Sequence, residues 1–251
     1  MPEYWVVCLI FMIIATIYSS VGFGGGSSYL AVLSLFSFPY KELRMIALIC
    51  NVIVVLGGLF IYMKNNQVDW KKSIPLVIFS VPLAYLGAVM KVSQNTFFII
   101  LGISLIVASF LLWIKTSNLS SSETPKNALS GTLSNSLIGG AIGFLSGMVG
   151  IGGGIFLSPI LNLMKWDLAK KIAATASMFI LVNSIAGLAG QLSNPPRNID
   201  INLLIMVCLS VFLGGQIGSR ISIKFNSLIV KRMSALLVLY AGIQVLWKHL
   251  F

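Results

Sequence analysis

The chain has 251 residues, of which 57% are hydrophobic and only 9% are charged, with a formal net charge of +11. Because soluble domains carry about 25% charged residues, this composition excludes a soluble fold and indicates an all-α polytopic membrane protein. The basic residues stand in short clusters between apolar runs, as in loops that face anionic lipid, which argues against nucleic-acid binding.

The first predicted element, residues 4–40, contains no charge and is too long for one straight span. A helix of this length would reach about 55 Å at 1.5 Å per residue, whereas the hydrocarbon core is about 30 Å thick. The run holds the motif GFGGGSSYL at residues 22–30. We therefore expect a Gly-broken helix or a helical hairpin that turns at the glycines.

Three charge-free runs follow, at residues 45–63, 73–90 and 92–114, and each has the length of one crossing. Residues 115–127 are polar and show no apolar periodicity, which predicts a linker.

The second half repeats this order. Residues 127–164 form another overlong charge-free run with the motif GIGGGIFLS at 150–158. Three shorter runs come next, at 172–196, 201–219 and 233–247. The last is short, but flanking basic side chains can reach the headgroups and let its helix begin near Ser227.

These similarities predict two homologous four-segment repeats. GFGGGSSYLAVL at 22–33 aligns with GIGGGIFLSPIL at 150–161, and each motif is followed by a basic loop and further spans. The predicted domains are a first transmembrane repeat at 1–116, a polar linker at 117–126 and a second transmembrane repeat at 127–251. Secondary transporters are often built on such a duplicated plan.

The distribution of Lys and Arg favours the hairpin. If each long run crossed once, the 17 basic residues would divide almost evenly between the two sides. If each run enters and returns, only five stand on the N-terminal side, which the positive-inside rule then places outside. Three ordinary crossings per half would make the repeats inverted. The five residues are Lys41, Arg44, Lys91, Arg197 and Lys248.

The two glycine turns are the predicted substrate site. The first N–H groups of a helix lack intrahelical partners and its N-terminus is positive, so two such ends near the midplane would bind an anion. The alternative is that the glycines only allow close helix packing. The duplication, the overlong runs and the absence of charge favour the substrate site.

Further polar residues within the spans are candidates for the substrate path. Asn51 and Ser177 stand within a few residues of matching positions in the two halves, and Arg220 is the permanent cation expected to attract the anion. The alternatives are interhelical hydrogen bonds and, for Arg220, a positive-inside anchor. The complete set is Gly22, Gly24, Gly25, Gly26, Ser27, Ser28, Asn51, Gly150, Gly152, Gly153, Gly154, Thr175, Ser177, Asn183 and Arg220.

The acidic residues all stand at span ends or in loops, and the one histidine is His249. Proton-coupled carriers usually keep an ionisable residue within a span. An exported anion needs no such residue, because an inside-negative potential drives it outward by about 2.3 kcal/mol per 100 mV. The sequence indicates no metal site and no cofactor.

Four segments, GFGGGSSYL, GMVGIGGGIFLSPIL, ATASMFILVNSIAG and LGGQIGSRIS, resemble the repeated motifs of the sulfite exporter TauE/SafE family of four-plus-four-helix permeases. The resemblance covers nearly the whole chain. It implies transport of sulfur-containing anions such as sulfite, sulfonates and sulfoacetate across the inner membrane. It also implies that Gly22–Ser28 and Gly150–Gly154 lie near the substrate, with Thr175 and Ser177 next. The first half has ALICN where the second has TASMF, so the Thr/Ser pair is not duplicated.

The leading hypothesis is a secondary transporter that exports small anions by alternating access. The first alternative is an anion channel with the same lining. A membrane-embedded enzyme is disfavoured because the sequence has no HExxH, GxSxG or CxxC motif. An assembly subunit would have no need of broken helices at mid-membrane.

Overall fold

The computed structural model describes residues 4–36, 38–116, 132–164, 166–196, 199–221 and 227–250. Over these residues the chain forms ten α-helices and no strand. The helices are α1 (Tyr4–Ser19), α2 (Gly26–Leu35), α3 (Tyr40–Lys64), α4 (Trp70–Val89), α5 (Gln94–Thr116), α6 (Thr132–Val149), α7 (Gly154–Leu163), α8 (Ala169–Gln191), α9 (Ile201–Ile221) and α10 (Ser227–Leu250). The predicted linker lies outside the described residues, and the domain boundaries stay a prediction.

Within the described part, α3, α4, α5, α8 and α9 are long and apolar enough to cross a membrane. They coincide with five of the six predicted crossings, which confirms the all-α multi-pass membrane protein. The sixth run falls in α10, where only some side chains are described. Large apolar side chains on these helices, such as Phe60, Phe110 and Leu209, are exposed on the outside of the bundle, as lipid contact requires.

Hydrogen bonds between distant residues define the two ends of the bundle. At one end, the Tyr4 hydroxyl donates to the Asp200 carboxylate and Lys41 Nζ donates to Asn194 Oδ1 at 2.9 Å. The starts of α1, α3 and α9 and the end of α8 therefore lie together. We call this the Tyr40 end, after the first residue of α3.

At the opposite end, Lys72 Nζ donates to Asp167 Oδ2 at 2.9 Å, and Trp166 Nε1 donates to Asn135 Oδ1 at 3.3 Å. The starts of α4, α6 and α8 therefore lie together. We call this the Lys72 end.

The path of the chain between these ends is a hairpin at each glycine motif. Helix α1 starts at the Tyr40 end, and α2 leads back to it because α3 also starts there. In the same way α6 starts at the Lys72 end, and α7 leads back to the start of α8. With only 16 residues in α1 and 10 in α2, the first turn lies inside the bundle.

The helix pairing has a regular pattern. Helix α1 packs on α9 as α6 packs on α4, and α3 packs on α9 as α8 packs on α4. Helices α3 and α8 contact each other, as do α5 and α10. Exchanging the first five helices for the last five leaves these pairs unchanged. Two inverted repeats would produce this pattern, and their homology stays a prediction.

Small residues allow the tightest of these contacts. A Cβ on Gly147 of α6 would overlap the backbone carbonyl of Ala84 in α4. A Cβ on Gly218 of α9 would overlap the carbonyl of Thr16 in α1. Close backbone approach through small residues is the usual means of helix association in membranes. It holds α1 and α6, the outer arms of the hairpins, against full-length helices of the other half.

Candidate substrate site

The first glycine turn joins α1 to α2. Gly22 and Gly25 have φ values of +82° and +87°, in the left-handed region that favours glycine. Gly25 is the N-cap of α2, and no side chain caps this helix from within the motif. A Cβ on Gly25 would approach the ring of Tyr29 to 2.8 Å. The local sequence therefore makes a tight reversal that only glycine can form without strain.

The second turn, between α6 and α7, has the same character. Gly150, Gly152 and Gly153 have φ values of +82°, +82° and +83°. Gly153 is the N-cap of α7, again without a side-chain hydrogen bond. All the glycines of both motifs are buried.

Asn51 of α3 connects the two turns. Its Oδ1 accepts a hydrogen bond from the Gly26 N–H at 2.8 Å, and its Nδ2 donates to the Ile151 carbonyl at 2.9 Å. The side chain is fully buried. A Cβ on Gly24 or Gly26 would overlap the Asn51 amide, so the glycines are needed for this approach. One amide therefore caps α2 and also bonds the backbone of the other half.

Ile180 of α8 lies at the second turn where Asn51 lies at the first. A Cβ on Gly154 would overlap the Ile180 side chain, as one on Gly26 would overlap Asn51. Ile180 also faces Gly152, where an added Cβ would lie 2.9 Å from its Cγ2. An isoleucine side chain has no atom that can accept a hydrogen bond, so it cannot cap α7.

The predicted hydroxyl residues are buried near the first turn or close to it along α8. Ser28 Oγ is hydrogen-bonded to the Tyr18 hydroxyl at 2.6 Å, and Ser27 is buried beside it. Ser177 Oγ donates to the Gly22 carbonyl at 2.9 Å, which joins α8 to the first turn. Thr175 Oγ1 is hydrogen-bonded to Ser73 Oγ at 2.9 Å and lies toward the Lys72 end.

Asn183 is fully buried on α8, and neither polar atom of its amide has a partner within the described residues. The neighbouring Ser184 hydroxyl is also buried and unpartnered there, and it faces Gly152. Sequence reasoning missed Ser184. Its position beside Asn183 was the available signal, because burying two successive polar side chains costs free energy unless they find hydrogen-bond partners.

Arg220 is not brought to the glycine turns. It is exposed near the end of α9 and lines an open surface groove of about 860 Å³ with Lys64 and Gln216. Asn65 also lines the groove, and the remaining walls are apolar, with Phe60 and Phe212 among them. This placement suits a basic residue at the membrane surface.

The buried cation of the described residues is instead Arg44, in the second turn of α3, which is only 5% exposed. Its Nη2 donates to the Gly147 carbonyl at 2.9 Å and to the Ala88 carbonyl at 3.4 Å, at the ends of α6 and α4. Its stem lies against the second turn, since a Cβ on Gly150 would be 3.2 Å from Arg44 Cβ and Cγ.

From its place between two charge-free runs, Arg44 is expected to lie in a loop. A signal was available, because a cation near the positive start of a helix is electrostatically unfavourable. Such a residue is expected to turn toward the negative C-terminal ends of other helices, as Arg44 does.

A cavity of about 30 Å³ opens beside Arg44 at the Tyr40 end. Lys41, Lys91 and the Gln191 side chain also line it. It adjoins a wider vestibule of about 550 Å³, with which it shares Lys41 and Asn194.

The chain matches the family model described as Sulfite exporter TauE/SafE over residues 7–245. It belongs to the TauE/SafE family. The family is one of membrane transporters, and this member is a multi-pass membrane protein with five membrane-length apolar helices among its described residues.

Curated relatives agree with this membership. The chain is 30% identical to the probable membrane transporter protein y4hK of Sinorhizobium fredii, over 96% of this chain and 97% of the relative. It is 23% identical to the probable membrane transporter protein YunE of Bacillus subtilis, over 99% of both chains. It is 25% identical to the probable membrane transporter protein MJ0441 of Methanocaldococcus jannaschii, over 85% and 84%. No solved structure matches the chain significantly.

Proposed function

We propose that this TauE/SafE protein is a secondary transporter that exports small anions of the sulfite and sulfonate class by alternating access around its two glycine turns. The observation that carries the proposal is the link through Asn51, which bonds the Gly26 N–H in one half and the Ile151 carbonyl in the other. Irregular backbone inside a membrane protein is tolerated where it is buried in protein or lines a substrate path.

The chemistry of the turns supports an anionic substrate. Helices α2 and α7 both start inside the bundle, and the N-terminal ends of helices carry a partial positive charge. No acidic side chain or histidine stands in the middle of a predicted span. The membrane potential then drives a monovalent anion outward by about 2.3 kcal/mol per 100 mV without a proton relay.

The contacts at the two ends support alternating access. The Lys72 end is held by the Lys72–Asp167 ion pair and by the Ser73–Thr175 hydrogen bond. The Tyr40 end contains the cavity beside Arg44 and its vestibule. The cavity and vestibule favour a conformation open to the Tyr40 end, which the Lys and Arg distribution predicts to be outside. Rocking of the hairpins would close it and open the other end.

Transport of labelled sulfite, thiosulfate and methanesulfonate into liposomes containing the purified protein tests the proposal. We expect saturable flux and counterflow, in which unlabelled anion inside accelerates uptake of labelled anion. Flux that follows the potential without saturation or counterflow would favour the anion channel. No movement of any of the three anions would contradict the proposal.

Alanine variants test whether the turns take part. Gly25→Ala and Gly153→Ala place a Cβ at positive φ and 2.8 Å from the Tyr29 or Phe179 ring, so transport should fall at least tenfold. Gly215→Ala is the matched control, because its Cβ would meet Val54 at an ordinary 3.4 Å. If the turn variants fold and transport like the control, the turns are packing devices.

A further inference from the structure

We propose that the cavity beside Arg44, rather than the glycine turns alone, binds the transported oxyanion in the conformation open to the Tyr40 end, with Arg44 and Gln191 as its ligands. This inference rests on the proposed function. It names a binding site that the glycine motifs do not include and a cation that differs from Arg220.

The first argument is the cost of burying Arg44. A buried cation is stable only if neighbouring groups compensate its charge. The ion pairs within the described residues join Lys72 and Lys171 to Asp167, at the other end of the bundle. At the Tyr40 end, Arg44 is compensated by two backbone carbonyls at helix ends, each of which supplies about half a negative charge, and its guanidinium lies 5.9 Å from the centre of the Phe97 ring. Ionisable residues in such positions usually serve transport.

The second argument is that Arg44 has unused binding capacity. Its hydrogen bonds to the Gly147 and Ala88 carbonyls come from Nη2, and Nε is buried with no partner within the described residues. A guanidinium group offers its donors in a fixed fork that matches two oxygens of an oxyanion. An anion in the cavity would satisfy the donor that the protein leaves unpaired.

Gln191, which also lines the cavity, is a second residue with unpaired polar atoms in the described part of the chain. It is only 7% exposed, and both Nε2 and Oε1 lack partners within the described residues. An unpaired buried amide costs about 1–3 kcal/mol per polar group. An oxyanion accepts a hydrogen bond from Nε2 and removes the cost of that group, whereas Oε1 needs a donor such as water. Arg44 Nε and Gln191 Nε2 are thus two buried donors without partners within the described residues, and both residues line one cavity.

The residues around the cavity make it basic and connect it to the vestibule. Lys41 and Lys91 line the mouth, and Glu42 lies farther out on the vestibule wall. The lysines raise the local concentration of anions at this end of the substrate path. At about 30 Å³ the cavity holds one or two water molecules, so a bound oxyanion would extend into the adjoining vestibule.

Arg44 also connects the cavity to the second hairpin, which alternating access would move. Arg44 packs on Gly150 of the second turn and bonds the end of α6, so an anion that pulls on Arg44 acts directly on the second hairpin. The site therefore joins substrate binding to the element that alternating access must move.

The experiment is calorimetric titration of the purified full-length protein in detergent with sodium sulfite, thiosulfate and methanesulfonate, against sodium chloride at equal ionic strength. Gln191→Leu removes the amide without breaking an observed hydrogen bond, so its melting temperature should not fall. The affinity should fall about tenfold to a hundredfold, the loss expected for one hydrogen bond to a charged group. Arg44→Lys keeps the charge but loses Nε and the fork, and should weaken binding about tenfold.

Gln244→Leu is the matched control, because Gln244 is on α10 and bonds only the Tyr240 hydroxyl among the described contacts. If the wild type binds and transports an anion and both variants bind it with unchanged affinity, the cavity proposal is wrong while the proposed function stands. If the wild type neither binds nor transports any of the three anions, both are wrong.

Discussion

The two glycine turns share left-handed glycines at matching positions, Gly22 with Gly150 and Gly25 with Gly153, but Gly152 adds a third in the second turn, and their surroundings differ. Gly22 lies against Ala173 of α8, and Gly150 lies against Arg44 of α3. On α3, seven residues after Arg44 and on the same face, Asn51 contacts the start of α2. On α8, seven residues after Ala173, Ile180 contacts the start of α7. The first turn is therefore capped and locked, whereas the second is apolar at its helix start and stands beside a buried cation. The repeated motif sets the backbone, and the helix packed on it sets the chemistry.

The largest effect should follow from exchanging the residues that distinguish the turns. Asn51→Ile leaves the Gly26 N–H and the Ile151 carbonyl buried without partners, which should lower the free energy of unfolding by about 2–5 kcal/mol. Ile180→Asn places an amide near the start of α7 and should cost about 1 kcal/mol, because the Gly154 N–H is within its reach. Thermal unfolding in detergent measures both.

If Asn51→Ile and Ile180→Asn lower the free energy of unfolding equally, the comparison fails. The hydrogen bonds of Asn51 would then contribute nothing beyond the fit of its side chain. Asn51→Leu, which has the same branching and the same number of side-chain heavy atoms, is the control for shape.

A smaller effect should separate the two turns by what they touch. Gly22→Ala and Gly150→Ala share a φ of +82°, which costs about 1–2 kcal/mol for a residue with a Cβ. At Gly22 the new Cβ would lie 2.9 Å from the Ala173 carbonyl oxygen, which cannot move without α8. At Gly150 it would lie 3.2 Å from the flexible Arg44 stem.

We therefore expect Gly22→Ala to lose about 1 kcal/mol more than Gly150→Ala, measured by the midpoint of thermal unfolding. The reverse order would mean that Arg44 is held more rigidly than α8, and would sharpen the role of Arg44 in the second turn.

The smallest effect concerns the two ends of the bundle, where different groups make the contacts between helices. At the Lys72 end, burial raises the pKa of Asp167, but hydrogen bonds from Lys72 Nζ and the Leu168 N–H outweigh it and leave the pKa below its usual value. Because the folded-state pKa is lowered, the stabilisation is present above the unfolded-state pKa of about 4 and is lost as the pH falls through the folded value.

Asp167→Asn should cost about 1 kcal/mol or less near neutral pH, since Lys72 is partly exposed. The difference from wild type should vanish in acid below about pH 4. Thermal unfolding across pH measures this. Lys41→Gln, at the Tyr40 end, pairs with the neutral Asn194 and should show no such acid transition. A pH-independent difference for Asp167→Asn would contradict the assignment.

Much of the fold was predictable because the signals are local. Five spans were visible as charge-free runs of membrane length, and the length of residues 4–40 excluded a single straight helix. The positions of both turns were also visible, because Gly25 and Gly153 hold left-handed backbone that few other residues adopt. The role of Arg220 stays a prediction, and its distance from a span end in the sequence says nothing about which way its side chain faces.

The sequence by itself determined a multi-pass helical protein with two glycine-broken runs, since apolar length and glycine conformation act over a few residues. Only the tertiary structure decided that Asn51 bonds Ile151, 100 positions away, and that Ile180 takes the matching place. It also decided that Arg44, expected in a loop, is buried and lines a cavity. Helix register and the packing of one half on the other select these partners, and neither is written in any short stretch of the chain.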